Sequence, residues 1–279
     1  MADALRESIE HHAGRPADAL DRAAAREAFG RLLEALERGE VRAAERGEDG
    51  AWRANAWVKR GILLGFRLGE IADFSAPPFS FFDKDTFPAR AFAAADGVRV
   101  VPGGSAVRRG AYLARGVVCM PPMYVNVGAY VDEGTMVDSH ALVGSCAQVG
   151  RRVHLSAAAQ VGGVLEPVGA VPVVVEDDVF VGGGCGIYEG TVVRAGAVLA
   201  AGVILTRSTR VYDLGNEAVL RAEAGGSLEI PAGAVVVPGS RAVDNAFGRR
   251  HGLALSAPCI VKYRDASTDA ATTLEEALR

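Results

Sequence analysis

The sequence predicts a mainly β protein whose larger part is a parallel β-helix of hexapeptide repeats, between a small helical domain and a short C-terminal cap. Apolar residues recur at every sixth position over Val101–Val161, and the period resumes over Val175–Val211. Small or β-branched residues, such as Ala129 and Val153, form a second track four positions later. A period of six fits neither a helix nor an alternating strand, and it is typical of three-sided coils. With three repeats to a coil, roughly twenty repeats predict between six and seven coils.

Residues 1–98 lack this period and are expected to form a small, mostly helical domain. Arg22–Gly39 has apolar residues at helical spacing and ends on a glycine, which predicts one helix. Ala51–Phe66 predicts a second helix by the same pattern. The segment Ala76–Arg90 is rich in proline and aromatic residues, and it is expected to be an ordered connection packed on a neighbouring element.

The β-helix is expected over residues 99–243, and its period is interrupted twice. Fourteen residues separate Val161 from Val175, which predicts a loop that protrudes near residues 166–173. A second irregular segment spans residues 213–228. Residues 244–279 are expected to form a cap, with a strand at Pro258–Asp265 and a helix from Thr272. The helical domain and this cap are available to cover the exposed strand edges at the two ends of the stack.

The composition excludes several classes of function. The formal net charge is −4, which gives no reason to expect a general affinity for nucleic acid or for anionic membranes. No apolar run is long enough to span a bilayer, and the polar N-terminus lacks a signal-peptide core. The cytoplasm is therefore the expected compartment.

No metal site is expected from the spacing of the ligand-type residues. The four cysteines are far apart, and Cys119 and Cys185 fall on the two apolar tracks, where buried thiols are expected. His140 and His154 are the histidines within the repeats, and two histidines fourteen residues apart make a poor zinc site. Taken alone, the position of His140 fits an exposed histidine with no function as well as it fits a general base.

The chain also contains motifs that a generic hexapeptide repeat does not require. YVDEGTMVDS (Tyr130–Ser139), VGSCAQ (Val143–Gln148) and GGVLEP (Gly162–Pro167) lie within the repeats. Outside them stand FFDK (Phe81–Lys84), RVVP (Arg99–Pro102), STRVYD (Ser208–Asp213), VVVPG (Val235–Gly239) and IVK (Ile260–Lys262). With these motifs, nearly the whole chain resembles the tetrahydrodipicolinate N-succinyltransferase family of hexapeptide-repeat acyltransferases.

The resemblance implies a left-handed β-helix that assembles as a homotrimer, with active sites between neighbouring subunits. It implies an acyltransferase that moves a succinyl group from succinyl-CoA, its co-substrate, to the nitrogen of tetrahydrodipicolinate. The product is N-succinyl-2-amino-6-oxopimelate, in lysine and diaminopimelate biosynthesis. The partners it implies are therefore small-molecule substrates and further copies of the chain, with no nucleic acid, membrane or metal.

The resemblance also assigns site residues by matching motifs. It implies catalytic roles for Asp138 and Glu189. The residues it implies for substrate binding are Arg99, Asn126 and Glu166, and His140, close to Asp138, is also expected to contact the substrate. Those it implies for CoA are Ala201 and Gly202, along the pantetheine arm, and Arg207 and Lys262, near the phosphates.

The chain departs from the family pattern at two places. Many members carry a glutamate where this chain has Gly186 in GGGCG, so Glu189 is the carboxylate expected to take that role. His140 in DSH stands where many members have tryptophan. Two alternatives stay open: an acetyl-CoA-dependent transferase acting on the same or a related amino dicarboxylate, and a non-catalytic β-helix scaffold.

Overall fold

The N-terminal part of the chain forms three helices packed against one another. The computed structural model describes residues 2–265. The helices are α1 (Ala2–Ala13), α2 (Arg22–Glu37) and α3 (Ala56–Leu68), and a short 3-10 turn, Ala17–Ala19, joins α1 to α2. The side chain of Asp21 accepts two backbone hydrogen bonds from the first turn of α2, which explains why this predicted helix starts at Arg22.

Two details of this region differ from the sequence prediction. The sequence pattern did not indicate α1, because its residues are largely polar. The helix predicted over Ala51–Phe66 begins at Ala56 instead, because Trp52–Ala54 pairs with Ala44–Arg46 in an antiparallel hairpin.

The connection that follows α3 is ordered, as predicted. Ile71–Asp73 and Phe82–Lys84 form an antiparallel hairpin. Phe87 is buried, and its ring centroid lies 4.2 Å from that of Phe66 and 5.2 Å from that of Phe29. These aromatic contacts hold the end of the connection against the helices, whereas residues 74–82 are exposed and do not pack as predicted. A second 3-10 turn, Ala94–Asp96, leads into the repeats.

From Arg99 the chain winds into a three-sided prism of short parallel strands, so the predicted parallel β-helix is confirmed. The first face contains Arg99–Val100, Val118–Cys119, Met136–Val137, His154–Leu155, Phe180–Val181, Val198–Leu199 and Ala234–Val237. The second face contains Ala106–Val107, Tyr124–Val125, Leu142–Val143, Gln160–Val161, Gly186–Ile187 and Ile204–Leu205. The third face contains Tyr112–Leu113, Tyr130–Val131, Gln148–Val149, Val174–Val175, Val192–Val193 and Glu229–Ile230.

Residues one coil apart stack directly over one another inside the prism. Val143 pairs in register with Val125 on one side and with Val161 on the other, and all three side chains are fully buried. The second track is also buried, with Thr135 and Thr191 both at 0% exposure. Each hexad therefore contributes two inward side chains, one aliphatic and one small or β-branched, and these fill the interior of the prism.

The chain leaves the prism after the last strand of the second face and returns to it for Glu229–Ile230 and Ala234–Val237. Val211–Asp213 and Ala218–Leu220 form an antiparallel hairpin, and Ser240–Ala242 pairs with Ala254–Ser256 around the short helix α4 (Ala246–His251). The predicted last strand is present as Cys259–Tyr263, which runs antiparallel to the final strand of the first face and covers its edge. The helix predicted from Thr272 lies outside the described residues.

Two positions on the predicted apolar track are wrong. Val100, and not Val101, aligns with Cys119, because the chain between the first two strands of the prism is one residue longer than a hexad. Val211 is buried, but it belongs to the antiparallel hairpin that extends the first face and not to a coil.

The helical region lies along one flank of the prism and also contacts its first coil, where Glu37 of α2 pairs with Arg109. Val127 and Cys146, from two successive coils, share a hydrophobic cluster with the helices. Further along, the indole of Trp52 donates to Glu176 at 2.9 Å, and Arg194 donates to the carbonyl of Gly50 at 3.0 Å. Phe92 and Val98, from the segment before the first coil, are partly buried and also pack against the core of the prism.

Candidate active site

A cleft of about 740 Å³ opens where the interrupted hexad leaves the prism. Residues 162–173 contain no strand and form the loop that the sequence predicted. Glu166 and Pro167 of this loop line the cleft together with Tyr188, Glu189 and Arg207 of the coils. The carboxylate of Glu189 accepts a hydrogen bond of 3.2 Å from the backbone amide of Arg207. Three of the sequence-predicted site residues, Glu166, Glu189 and Arg207, are therefore brought together here.

A buried lysine of the helical region holds this loop. The ammonium group of Lys59, on α3, donates a 2.6 Å hydrogen bond to the carbonyl of Ala170, and the residue is fully buried. Burial lowers the pKa of the Lys59 amine. The next residue, Val171, places its carbonyl oxygen within 2.5 Å of the position that a Cβ on Gly190 would take. The loop is thus fixed between α3 and the coil that carries Glu189.

The sequence reasoning missed Lys59, although one signal for it was present. The predicted helix WVKRGILLGF has a lysine between apolar residues, and charged side chains are rarely buried unless they have a partner. Its partner is a backbone carbonyl 111 residues away, which no local pattern identifies.

Asp138 lies at the corner between the first and second faces. Its carboxylate accepts a 2.7 Å hydrogen bond from the amide of Ser139, and its other oxygen lies 3.9 Å from Nε2 of His154. The side chain of His154 is 13% exposed, and its ring packs edge-on against Phe180 at 5.1 Å. His140 follows Asp138 by two residues in the sequence. It is exposed and has a left-handed backbone with φ 62°. The structure thus places His154, one coil away, at the Asp138 carboxylate.

The site residues that the resemblance implied do not form one cluster within the chain. Asp138, His140, Ala201 and Gly202 stand at the corner between the first and second faces, whereas Asn126, Glu166, Glu189 and Arg207 stand at the corner between the second and third. Arg99 is exposed on the first strand of the prism. Lys262, on the last strand, pairs with Asp265 at 3.0 Å. The two corners flank the second face, so its two edges carry separate halves of the expected site.

The CoA-binding role expected of Ala201 and Gly202 stays a prediction. The amide of Gly202 donates to the carbonyl of Gly183 in the preceding coil at 3.0 Å. This bond is part of the ladder that joins successive corners, and a six-residue period gives no sign of which amides it uses.

Cys119 and Cys146 are buried free cysteines. Burial raises the pKa of the thiols of Cys119 and Cys146 to about 12, which keeps them protonated and poorly nucleophilic. Over residues 2–265, no group of three or more histidine, cysteine, aspartate or glutamate side chains is placed to hold a metal ion. In the same range, no helix combines the length and the apolar character that crossing a bilayer requires.

Comparison with known proteins identifies the family. Residues 4–68 match the description "Tetrahydrodipicolinate N-succinyltransferase N-terminal", and residues 172–207 match "Hexapeptide repeat of succinyl-transferase". The 2,3,4,5-tetrahydropyridine-2,6-dicarboxylate N-succinyltransferase of Polynucleobacter asymbioticus is 44% identical over 91% of this chain and 90% of its own length. The protein of the same name from Paraburkholderia phymatum is 43% identical over 100% of this chain and 99% of its own length. This chain belongs to that family.

The two matched segments of this N-succinyltransferase family member include some of the parts that build the cleft, although its loop at residues 162–171 lies outside both. Residues 4–68 contain Lys59, and residues 172–207 contain Tyr188, Glu189 and Arg207. A crystal structure of a putative 2,3,4,5-tetrahydropyridine-2-carboxylate N-succinyltransferase from Campylobacter jejuni covers 84% of this chain and 62% of its own, with 17% identity and a TM-score of 0.45.

Proposed function

We propose that this protein transfers a succinyl group from succinyl-CoA to the nitrogen of tetrahydrodipicolinate, in lysine and diaminopimelate biosynthesis. The observation that carries the proposal is the identity of 43–44% with N-succinyltransferases over at least 91% of the chain. In the reaction the acceptor nitrogen bonds to the thioester carbonyl, and the carbon–sulfur bond breaks to release CoA. Water adds to the carbon of the cyclic imine, and the ring opens to N-succinyl-2-amino-6-oxopimelate.

Asp138 is the residue that we assign to proton transfer. A carboxylate at the attacking nitrogen orients it and accepts its proton as the new amide forms. The largely buried side chain of His154, 3.9 Å away, limits the positions that this carboxylate adopts. Glu189 is the second carboxylate, and Arg99 supplies a guanidinium group for a substrate carboxylate. The thioester is already activated, so the reaction requires neither a covalent enzyme intermediate nor a metal.

The assembly that we propose is a homotrimer with active sites between neighbouring prisms. In one chain, Asp138 and Glu189 lie at opposite edges of the second face. A site that uses both carboxylates therefore takes Asp138 from one protomer and Glu189 from the next. This arrangement also brings the cleft of one subunit towards the Asp138 corner of its neighbour. We place the trimer in the cytoplasm, where CoA thioesters are available.

Thiol release from acyl-CoA tests the proposal directly. Purified protein is mixed with tetrahydrodipicolinate and either succinyl-CoA or acetyl-CoA, and free CoA is followed with a thiol reagent. We expect release with succinyl-CoA that depends on the acceptor, with a reaction lacking acceptor as the control for hydrolysis. Faster release with acetyl-CoA would establish the acetyltransferase alternative instead. No acceptor-dependent release with either donor would support the scaffold alternative and refute the proposal.

A further inference from the structure

The ring of Tyr188 folds back over the outer surface of the second face. A Cβ on Gly186 would overlap Cε2 of this ring and lie 2.9 Å from its phenol oxygen. A Cβ on Gly162, in the preceding coil, would lie 2.8 Å from Cδ1 of the same ring. Gly186 and Gly162 are both buried, although neither has a side chain of its own to cover it. The tyrosine ring therefore needs glycine at both positions.

The ring occupies a position that neighbouring coils give to other side chains. Gly186 pairs in register with Gln160 on one side and with Ile204 on the other, and both of these side chains lie on the outside of the face. At the intervening coil, the outer position is filled from two residues further along the chain, by Tyr188. The phenol oxygen thus stands where a side chain at position 186 would stand.

This placement puts a neutral hydrogen-bond donor in the cleft. Tyr188 lines it with two carboxylates, Glu166 and Glu189, and with one cationic residue, Arg207. Over residues 2–265, no protein group forms a hydrogen bond with the phenol oxygen, so its proton is available to a ligand. The phenol is neutral and donates a hydrogen bond, which suits it to bind a carboxylate of a ligand.

We propose that Tyr188 is a substrate-binding residue whose phenol donates a hydrogen bond to a carboxylate of the small molecule bound in this cleft. The inference rests on the proposed function, which supplies two carriers of such a carboxylate: the succinyl chain and the dicarboxylate acceptor. It assigns to Tyr188 the space on the outer surface that a side chain at position 186 would fill. Glu189 keeps its proposed role as the second carboxylate.

The first test replaces the phenol and keeps the ring. Tyr188→Phe is expected to raise KM on the order of tenfold for the substrate whose carboxylate it binds, with a much smaller change in kcat, because a hydrogen bond to a charged group is lost. A higher KM for succinyl-CoA places the phenol at the succinyl carboxylate. A higher KM for the acceptor places the phenol at a carboxylate of the acceptor. The matched control is Tyr112→Phe, on the third face, where the ring stacks on Tyr130. Unchanged KM values for both substrates in Tyr188→Phe would overturn the proposal.

The second test examines the position of the ring. Gly186→Ala is expected to lower kcat/KM at least tenfold in the wild-type background, because the new Cβ displaces the ring. In a Tyr188→Val background the same change is expected to cost less than about threefold, since no ring remains to displace. Equal effects in both backgrounds would contradict the placement of Tyr188 over Gly186.

Failure of this inference is distinguishable from failure of the proposed function. Wild-type protein that releases no thiol refutes the function, whereas wild-type turnover with unchanged KM values in Tyr188→Phe refutes only the role of Tyr188. Isothermal titration of wild-type and Tyr188→Phe protein with the acceptor and with succinyl-CoA gives a reading that does not depend on turnover. If the two proteins bound both compounds with equal affinity, that result alone would overturn the role of Tyr188.

Discussion

Thr135→Val is expected to lower the free energy of unfolding by about 2–3 kcal/mol, although the two side chains have nearly the same shape. Thr135 is fully buried on the second inward track. Its hydroxyl donates to the carbonyl of Gly150 at 2.8 Å and accepts from the amide of Val153 at 3.0 Å. One side chain thus joins two coils through two backbone groups.

The magnitude follows from what the substitution leaves behind. Each buried backbone group that loses its partner costs about 1–3 kcal/mol. The added methyl group returns about 0.8 kcal/mol of hydrophobic stabilisation. Thr191 provides the matched control, because it is equally buried on the same track. Its hydroxyl donates to the carbonyl of Tyr188 at 2.8 Å, and that carbonyl also accepts from the Thr191 amide. Thr191→Val leaves no group unpaired and is expected to cost less than about 1 kcal/mol.

Urea titration followed by far-ultraviolet circular dichroism measures the difference. All samples are held at one protein concentration, because the proposed homotrimer would make the apparent stability depend on concentration. We expect the midpoint to shift much further for Thr135→Val than for Thr191→Val, with the same slope for both. Costs that agree within about 0.5 kcal/mol would show that the Thr135 hydroxyl does not join the coils.

Three further changes test the core, the chemistry and the flank. Val143→Asp places an unpaired charge inside the prism, which costs several kcal/mol of folding stability. Size-exclusion chromatography should therefore recover little folded protein. A stable, soluble variant would contradict the coil register. Asp138→Asn is expected to lower kcat on the order of a hundredfold at unchanged Tm, and wild-type turnover would remove Asp138 from the mechanism. Burial alone raises the pKa of Glu176, but hydrogen bonds from Trp52 and Arg194 more than offset this and hold it below 4.5. Its stabilising effect is therefore present above pH 4.5 and lost as the pH falls through the lower folded value. Glu176→Gln should flatten the decline of Tm in that range, and equal declines in both proteins would show that Glu176 contributes no stability.

The sequence by itself determined the β-helix, the number of its coils and the family. Each hexad builds one strand of a face from residues that are close along the chain. The spacing of apolar residues therefore predicts the coil directly. Val125, Val143 and Val161 stack as the period predicted. The interruption after Val161 also marked the loop that forms the cleft. The roles of Asp138, Glu189 and the other site residues stay predictions.

The tertiary structure alone decided how the cleft is built. The period does not show that α3 lies along the flank and holds the loop through Lys59, or that His154 lies beside Asp138. The period also does not show that the ring of Tyr188 covers Gly186, since a glycine in a repeat ordinarily indicates a turn. These features depend on contacts between residues that are far apart along the chain or that fold back across a face. Such contacts are set by the shape and burial of the assembled surfaces, and a local pattern of apolar residues contains neither.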